Sequence, residues 1–226
     1  LQYFLERTTT GVDRGRLSAI SSHLNGLQLS GYIDEPSSIY DWLLDNLLPL
    51  LPVSMVRNQN GLYPILWRPE ANRSDAIEHL QAGEGLFRSS MVTYIGEVEN
   101  EISIEYALNA NTRTYMRVKT TGPRTTRNEG ADYIESLASS VSSSRYGVKI
   151  GEQVSTDIIA SSSGALWVLS WLIQARAFPK REILYDADLS FAWIEDGSVV
   201  TITDPDLALY NTCLLYTSDA ADDLTR

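Results

Sequence analysis

The sequence predicts an α+β fold: a mixed segment of helices and antiparallel β-sheet, followed by a helix and a partial β-barrel. Three observations predict it. Apolar residues recur at helical spacing at Ile158, Ala165, Leu169, Leu172 and Ile173. Strict alternation over 101–106 puts Ile102, Ile104 and Tyr106 on one face and Glu101, Ser103 and Glu105 on the other. Strands are joined by short turns such as Asn109-Ala110-Asn111, which suit hairpins, rather than by the helical crossovers of a doubly wound sheet.

In chain order, Leu1–Leu5 reads as the tail of a helix, and Arg16–Leu29 mixes helix formers with Ser and Gly without deciding between them. Tyr32-Ile33-Asp34 is extended before a turn at Glu35-Pro36. A helix follows, capped by Ser37 or Ser38, with Ile39, Trp42, Leu43, Leu47 and Leu50 at spacings of three and four and with Pro49 and Pro52 closing it. Val53–Arg57 and Leu62–Trp67 are β-rich and joined through Asn58–Gly61, and Pro64 marks the second as an edge strand. A polar connector over Arg68–Ser74 leads to a short helix, Asp75–Gln81, stopped near Gly83; Met91–Ile95 is a strand. Glu101–Tyr106 pairs with Thr112–Lys119, its acidic outward residues facing the basic Arg113, Arg117 and Lys119. Gly122–Gly130 is a polar loop, and the serine-rich Ala131–Ser144 is a weak helix or a mobile segment.

The stretch from Val154 to Leu209 organises the rest. Thr156 and Asp157 are placed to cap its helix and Pro179 to end it, with Trp167 and Trp171 four apart on a neighbouring face. Glu182–Tyr185, Ser190–Glu195 and Ser198–Thr203 follow as strands, with a hairpin signal at Asp196-Gly197 and a second turn at Asp204-Pro205-Asp206. The expected organisation is residues 1–121 as an α+β segment with two hairpins, 122–145 as a linker, and 146–212 as a helix with barrel-like strands. Residues 213–226, CLLYTSDAADDLTR, resemble the translation of a sequencing-library adapter and are expected to be foreign to the natural protein. The chain opens on Leu, so an internal fragment of a longer protein is expected.

Composition excludes several classes. The chain has 18 basic and 29 acidic residues and a formal charge of −11. Setting 213–226 aside removes one basic and three acidic residues and leaves −9. Tracking phosphates needs a basic stripe, so no nucleic-acid partner is expected. The single cysteine, Cys213, lies in the adapter-like tail, which leaves no disulfide and no cysteine zinc site before it. No apolar run approaches the roughly 18 residues that span a bilayer, so no membrane insertion is expected.

No reaction centre emerges from the motifs. His23 and His79 are isolated, and no serine stands in a G-x-S-x-G elbow; Ser163-Gly164 reads as a close-packing feature of its helix. Glu97, Glu99, Glu101 and Glu105 cluster, but alternation puts Glu101 and Glu105 on a solvated sheet face. Asp186, Asp188, Asp204 and Asp206 stand in Asp-x-Asp pairs that are turn chemistry, without the glycine and the glutamate of a calcium loop. There is no P-loop, and Gly83-Glu84-Gly85 is only a loop signal. Five Trp and twelve Tyr offer a sugar platform on paper, yet Trp67, Trp193, Trp42, Trp167 and Trp171 sit on strands and helices where burial explains them. No catalytic, cofactor-binding or metal-binding residue is assigned, no cofactor is implied, and the chain is not expected to be an enzyme.

Two segments carry a resemblance. LLPLLPVSMVRNQNGLYPILW (47–67) is a helix ending in Leu-Pro before a hairpin, and GALWVLSWLIQARAFPKREILYDADLSFAWIEDGSVVTITDPDLAL (164–209) is a helix running into Pro and basic residues, then strands. Together with NEISIEYALN (100–109), they resemble the phage tail-hub family, the baseplate or tail-tip component at the distal end of the tail tube. The family's Gly-Asp-Val-Val-like turn is Asp196-Gly197-Ser198-Val199-Val200 here, so Asp precedes Gly and Ser198 stands where Asp is usual. The resemblance implies a structural virion protein, assembled in the host cytoplasm as a homotrimer with β-barrel domains and meeting other phage tail proteins. A carbohydrate-binding module would instead expose Trp193, Tyr185 and Phe191 in a row. A tail-associated cell-wall hydrolase would bring Glu101 and Asp204, or a Ser/His pair, into one pocket.

Overall fold

The computed structural model describes residues 13–30, 38–58, 61–67, 73–122 and 131–215. The expectations for Leu1–Leu5, Tyr32–Asp34, the Glu35-Pro36 turn, a Ser37 cap, the middle of the 58–61 turn, most of the 68–74 connector and the loop after Gly122 lie outside them. The fold is α+β. In chain order its elements are α1 (Arg14–Leu24), α2 (Ile39–Trp42), β1 (Val53–Asn58), β2 (Gly61–Leu66), β3 (Glu78–Gln81), β4 (Leu86–Tyr94), β5 (Ile102–Asn109), β6 (Thr114–Thr121), β7 (Asp132–Ile134), α3 (Leu137–Tyr146), β8 (Val154–Ser155), α4 (Ser162–Arg176), β9 (Lys180–Ala187), β10 (Val199–Asp204) and β11 (Leu209–Leu215). β1 and β2 pair as a two-stranded sheet, so Pro64 does stand on an edge strand. The chain divides into two compact units, one of residues 1–52, 57–64 and 94–180 and the other of residues 53–56, 65–93 and 181–226.

The first unit is built on a four-stranded sheet in the order β7-β6-β5-β8. β5 and β6 are antiparallel, and β7 and β8 add in parallel at the two edges. Ile102, Ile104 and Tyr106 are buried, as the alternation requires. Helix α4 packs on β5 and β6 and against α3. It buries Ala165, Val168, Leu169, Leu172 and Ile173, each large apolar side chain contributing about 1.5–3 kcal/mol. Gly164 lets the helix start lie close to its surroundings, since a Cβ there would meet Ile159 Cγ2 at 3.2 Å and the Gln28 carbonyl at 3.4 Å. Helix α1 is capped by Asp13, whose Oδ1 accepts from the Arg16 backbone N–H at 3.1 Å, and buries Leu17 and Ile20. The helix from Ile39 widens into a π turn over Leu43–Leu47 and tightens to 3₁₀ over Leu48–Leu50. Asn46 Nδ2 donates to the Trp42 carbonyl at 3.1 Å and so intrudes on the helical ladder there. Leu43, Leu47 and Leu50 are buried at the spacing seen in the sequence.

The second unit has a three-stranded sheet in the order β11-β10-β3, with β11 antiparallel and β3 parallel to the central β10. Leu80, Leu86, Ile194, Val200 and Ile202 form its core, with Tyr185, Phe191, Leu209 and Leu214 packed against them. β4 and β9 make a separate two-stranded ribbon. The described sheets are open rather than closed on themselves.

Six expectations differ from the structure for identifiable reasons. The 75–81 helix is a 3₁₀ turn at Arg73–Asp75 followed by strand β3, because pairing with β10 overrides local preference. Ser190–Glu195 is not a strand. A 3₁₀ turn at Leu189–Phe191 continues into a turn, so Phe191 and Ile194, three apart, face the core. Asp196-Gly197 therefore closes no hairpin. Gly197 has φ +82°, and a Cβ there would stand 2.6 Å from Ile65 Cγ1. Helix α4 begins later than expected, at Ser162, with Ser161 as its cap; Thr156 instead accepts from the Ile158 N–H at 3.3 Å. The charges of β5 and β6 do not face each other. Glu105 lies opposite Val118, while Lys119 lies opposite Ile104 and is buried, paired with Asp132. Glu101, expected on a solvated face, is 5 % exposed.

Two segments resolve what the sequence left open or set aside. Ala131–Ser144 contains β7 and most of α3, with Ser139 and Ser142 fully buried. Cys213–Leu215 continue β11 opposite Thr201, Val200 and Val199.

Candidate functional site

The residues weighed as chemical groups are placed as follows. His23 lies exposed in the last turn of α1, and His79 on β3 has its Nδ1 3.0 Å from Thr201 Oγ1. Glu99 pairs with Arg176 at 2.9 Å, and Glu105 accepts from Ser155 Oγ at 2.9 Å. Glu101 belongs to the first unit and Asp204 to the second. Among the described residues, no group of three or more His, Cys, Asp or Glu is placed to hold a metal ion. Glu97 and Asp186 are exposed, and Asp188 lies beside Gly85, whose carbonyl accepts from the Asp188 N–H at 2.9 Å.

Two buried polar clusters use the side chains that elsewhere do chemistry. In the first unit Asn100, fully buried, donates from Nδ2 to Ser142 Oγ at 3.1 Å and to the Gly147 carbonyl at 2.8 Å. Its Oδ1 accepts from the Lys149 N–H at 2.8 Å. Ser139 Oγ donates to the Asn100 carbonyl, and Ser142 Oγ donates to the Ala177 carbonyl. These bonds tie α3 and the Gly147–Lys149 turn to the entry of β5, and they satisfy the groups that burial takes out of water.

In the second unit Asp204, 2 % exposed, ends β10. Its Oδ1 accepts from the Asp206 N–H at 3.1 Å and caps the turn that the Asp-Pro-Asp sequence announces. Its Oδ2 accepts from Tyr185 Oη at 2.8 Å and from Arg88 Nη1 at 3.3 Å. Arg88 Nη2 also reaches Asp206 at 3.7 Å. Burial, and then the hydrogen bond to Asp204, push the Tyr185 hydroxyl well above its usual value, with Arg88 pulling the other way. The phenol thus stays protonated and donating. The buried Asp204 charge is answered by Arg88 on the spot, which suits a latch better than proton transfer.

That latch defines the two faces of the ribbon. Arg88 on β4 and Tyr185 on β9 meet the same carboxylate oxygen, so they share the inner face. Alternation then puts Phe87, Ser89 and Met91 with Glu182, Leu184 and Asp186 on the outer face. Phe87 is 60 % exposed, Met91 46 % and Leu184 41 %. All of β4 between Leu86 and Tyr94 is exposed. A two-stranded ribbon alone is marginal in water, and large side chains left uncovered on one mark a surface of contact. Periodicity could not have shown this face, since Phe87 follows Leu86, Met91 precedes Val92, and Leu184 stands between Ile183 and Tyr185.

The aromatics do not form a row. Against the burial expected of them, Trp193 is 54 % and Trp67 45 % exposed, whereas Tyr185 and Phe191 pack on the apolar core. Trp171 Nε1 donates to the Leu50 carbonyl at 2.8 Å, and Trp67 Nε1 to Ser54 Oγ at 2.6 Å. In the first unit an open groove of about 220 Å³ runs between β7, α3 and α4, walled by Thr121, Ile134, Leu137, Leu166, Leu169 and Ile173. Glu135 is the one charged residue on its wall among the described residues, so it holds no acid–base pair. No described helix is long and apolar enough to cross a membrane.

No protein-family model matches the chain, and no curated protein matches it. Among solved structures it is similar to the prophage tail protein gp18 from Listeria monocytogenes EGD-e, at 16% identity and a TM-score of 0.38. The likeness covers 92% of this chain and 59% of that one, so this chain spans about three-fifths of its neighbour's length.

Proposed function

We propose that this chain is a structural, non-enzymatic subunit of a bacteriophage tail, placed at the tail-tip or baseplate hub. It assembles there with copies of itself, three to a ring, and with neighbouring tail proteins, in a virion put together in the host cytoplasm. The observation that carries this reading is the β4–β9 ribbon, whose outer face leaves Phe87, Met91 and Leu184 uncovered. A protein whose work is assembly needs such a surface, and a protein whose work is chemistry needs convergent titratable groups in a cleft. Here Asp204, Tyr185 and Arg88 are spent on one another. The resemblance of 47–67 and 164–209 to tail hubs supplies the tail and the threefold ring. A prophage tail protein among the structural neighbours agrees with this reading without bearing weight at a TM-score of 0.38.

Long-read sequencing of the source DNA through both ends of this reading frame tests the assignment. Neighbouring frames encoding tape-measure and fibre-like proteins are expected. Metabolic neighbours would remove the tail reading.

A further inference from the structure

Strand β9 has one hydrogen-bonded neighbour, β4, so its other edge carries no strand among the described residues. An edge of unpaired backbone groups is a template for another strand unless charges blunt it. β9 carries such charges. Lys180, Arg181, Glu182 and Asp186 are all exposed, and Lys180 and Asp186 have no ion-pair partner among the described residues.

Their order is self-complementary. When two copies of β9 lie antiparallel about Ile183, Lys180 of each stands opposite Asp186 of the other, giving two opposite-charge pairs. A slip of two residues one way sets Glu182 against Glu182, and a slip the other way sets each Glu182 against Asp186. Both slips place like charges face to face, so the charges that discourage random partners favour the register centred on Ile183 over its two neighbours. Residues directly opposite share a face, and this register puts Phe87, Met91 and Leu184 of both copies on one side of a continuous four-stranded sheet.

We propose that a second copy of this chain binds here, β9 edge to β9 edge, about a two-fold axis. The contact is isologous, each copy offering the same surface. It stands whether or not the chain belongs to a tail. With a ring of three copies whose axis is perpendicular to this one, it makes a dihedral assembly of six.

The test is the mass of the purified chain by sedimentation equilibrium, for wild type, Lys180→Glu, Asp186→Lys and the double variant Lys180→Glu/Asp186→Lys. Circular dichroism checks that all four are folded. The wild type is expected as two copies or six. Each single reversal turns two attractive pairs into two repulsive ones and weakens association by about tenfold or more. The double variant restores the pairs in mirror order and recovers the wild-type mass. Equal masses for all four proteins overturn the proposal, as does a wild type that is a single copy or three copies. Three copies would leave the hub reading standing, while metabolic gene neighbours would remove that reading and leave this contact intact.

Discussion

At the scale of single residues the latch at Asp204 makes a prediction about pH. The Tyr185 hydroxyl is held above its ordinary value of 10.0 by burial first and by its bond to Asp204 second. The folded state therefore keeps a proton that the unfolded state releases above that value. The stabilisation is fully present below pH 10.0 and is lost as pH rises beyond it. Tyr185→Phe removes a hydrogen bond to a charged group and should cost about 1.5–3 kcal/mol near neutrality, toward the lower end because Arg88 and the Asp206 N–H still serve Asp204. Urea unfolding of both proteins across this range reads the effect. The gap between them should narrow on the alkaline side, and a constant gap would mean that the phenol's proton is not held by Asp204. The Asp-Pro-Asp turn was legible in the sequence because Asx chemistry is local. Its reach to Arg88 and Tyr185, far away in the chain, was not.

At the scale of elements the same division between local and distant causes recurs. The alternation of 101–106 identified β5 and its buried face, since Ile102, Ile104 and Tyr106 obey a period fixed by the backbone alone. The register of its partner depends on where Asn109 closes the turn. Asn109 Oδ1 accepts from the Asn111 N–H at 3.0 Å, and Arg113 adopts φ +52°, which together bring Lys119 opposite Ile104. Strand β3 was hidden because four residues carry little pattern and its partner β10 lies more than a hundred positions away. The serine-rich helix α3 was undecided because a serine count does not say which hydroxyl will find a carbonyl. Asn100 is what decides it, joining α3 and the Gly147–Lys149 turn to β5. Asn100→Ala takes one partner from the buried Ser142 Oγ and from the part-buried Lys149 N–H and Gly147 carbonyl, at a cost of about 1–3 kcal/mol in all. Hydrogen exchange should show the loss first in α3 and the 147–149 turn, with α4 still protected. Uniform loss across the first unit would show that Asn100 does not act through α3.

At the scale of the whole molecule the question is whether the apolar residues of the ribbon belong to its core or to its surroundings. Exposed aromatic and aliphatic side chains are common singly and mean little; three on one face of a two-stranded sheet are a different matter. A triple variant, Phe87→Ser/Met91→Ser/Leu184→Ser, separates the two answers. If these side chains supported the fold, burying each would contribute about 1.5–3 kcal/mol, and the variant would lose most of a typical domain's stability. Their exposures of 60, 46 and 41 % mean that folding leaves roughly half of each residue in water. Unfolding free energy should therefore shift by about half of the fully buried value, roughly 1 kcal/mol per substitution, while binding of a hydrophobic dye such as ANS to the folded chain falls. Arg88, Tyr185 and Asp204 remain in place on the inner face, so the ribbon keeps its orientation in the variant. A large loss of stability would place Phe87, Met91 and Leu184 in the core and withdraw the surface on which the assembly reading rests. A loss of only that size with reduced dye binding would leave a folded protein whose ribbon presents Phe87, Met91 and Leu184 for another molecule to cover.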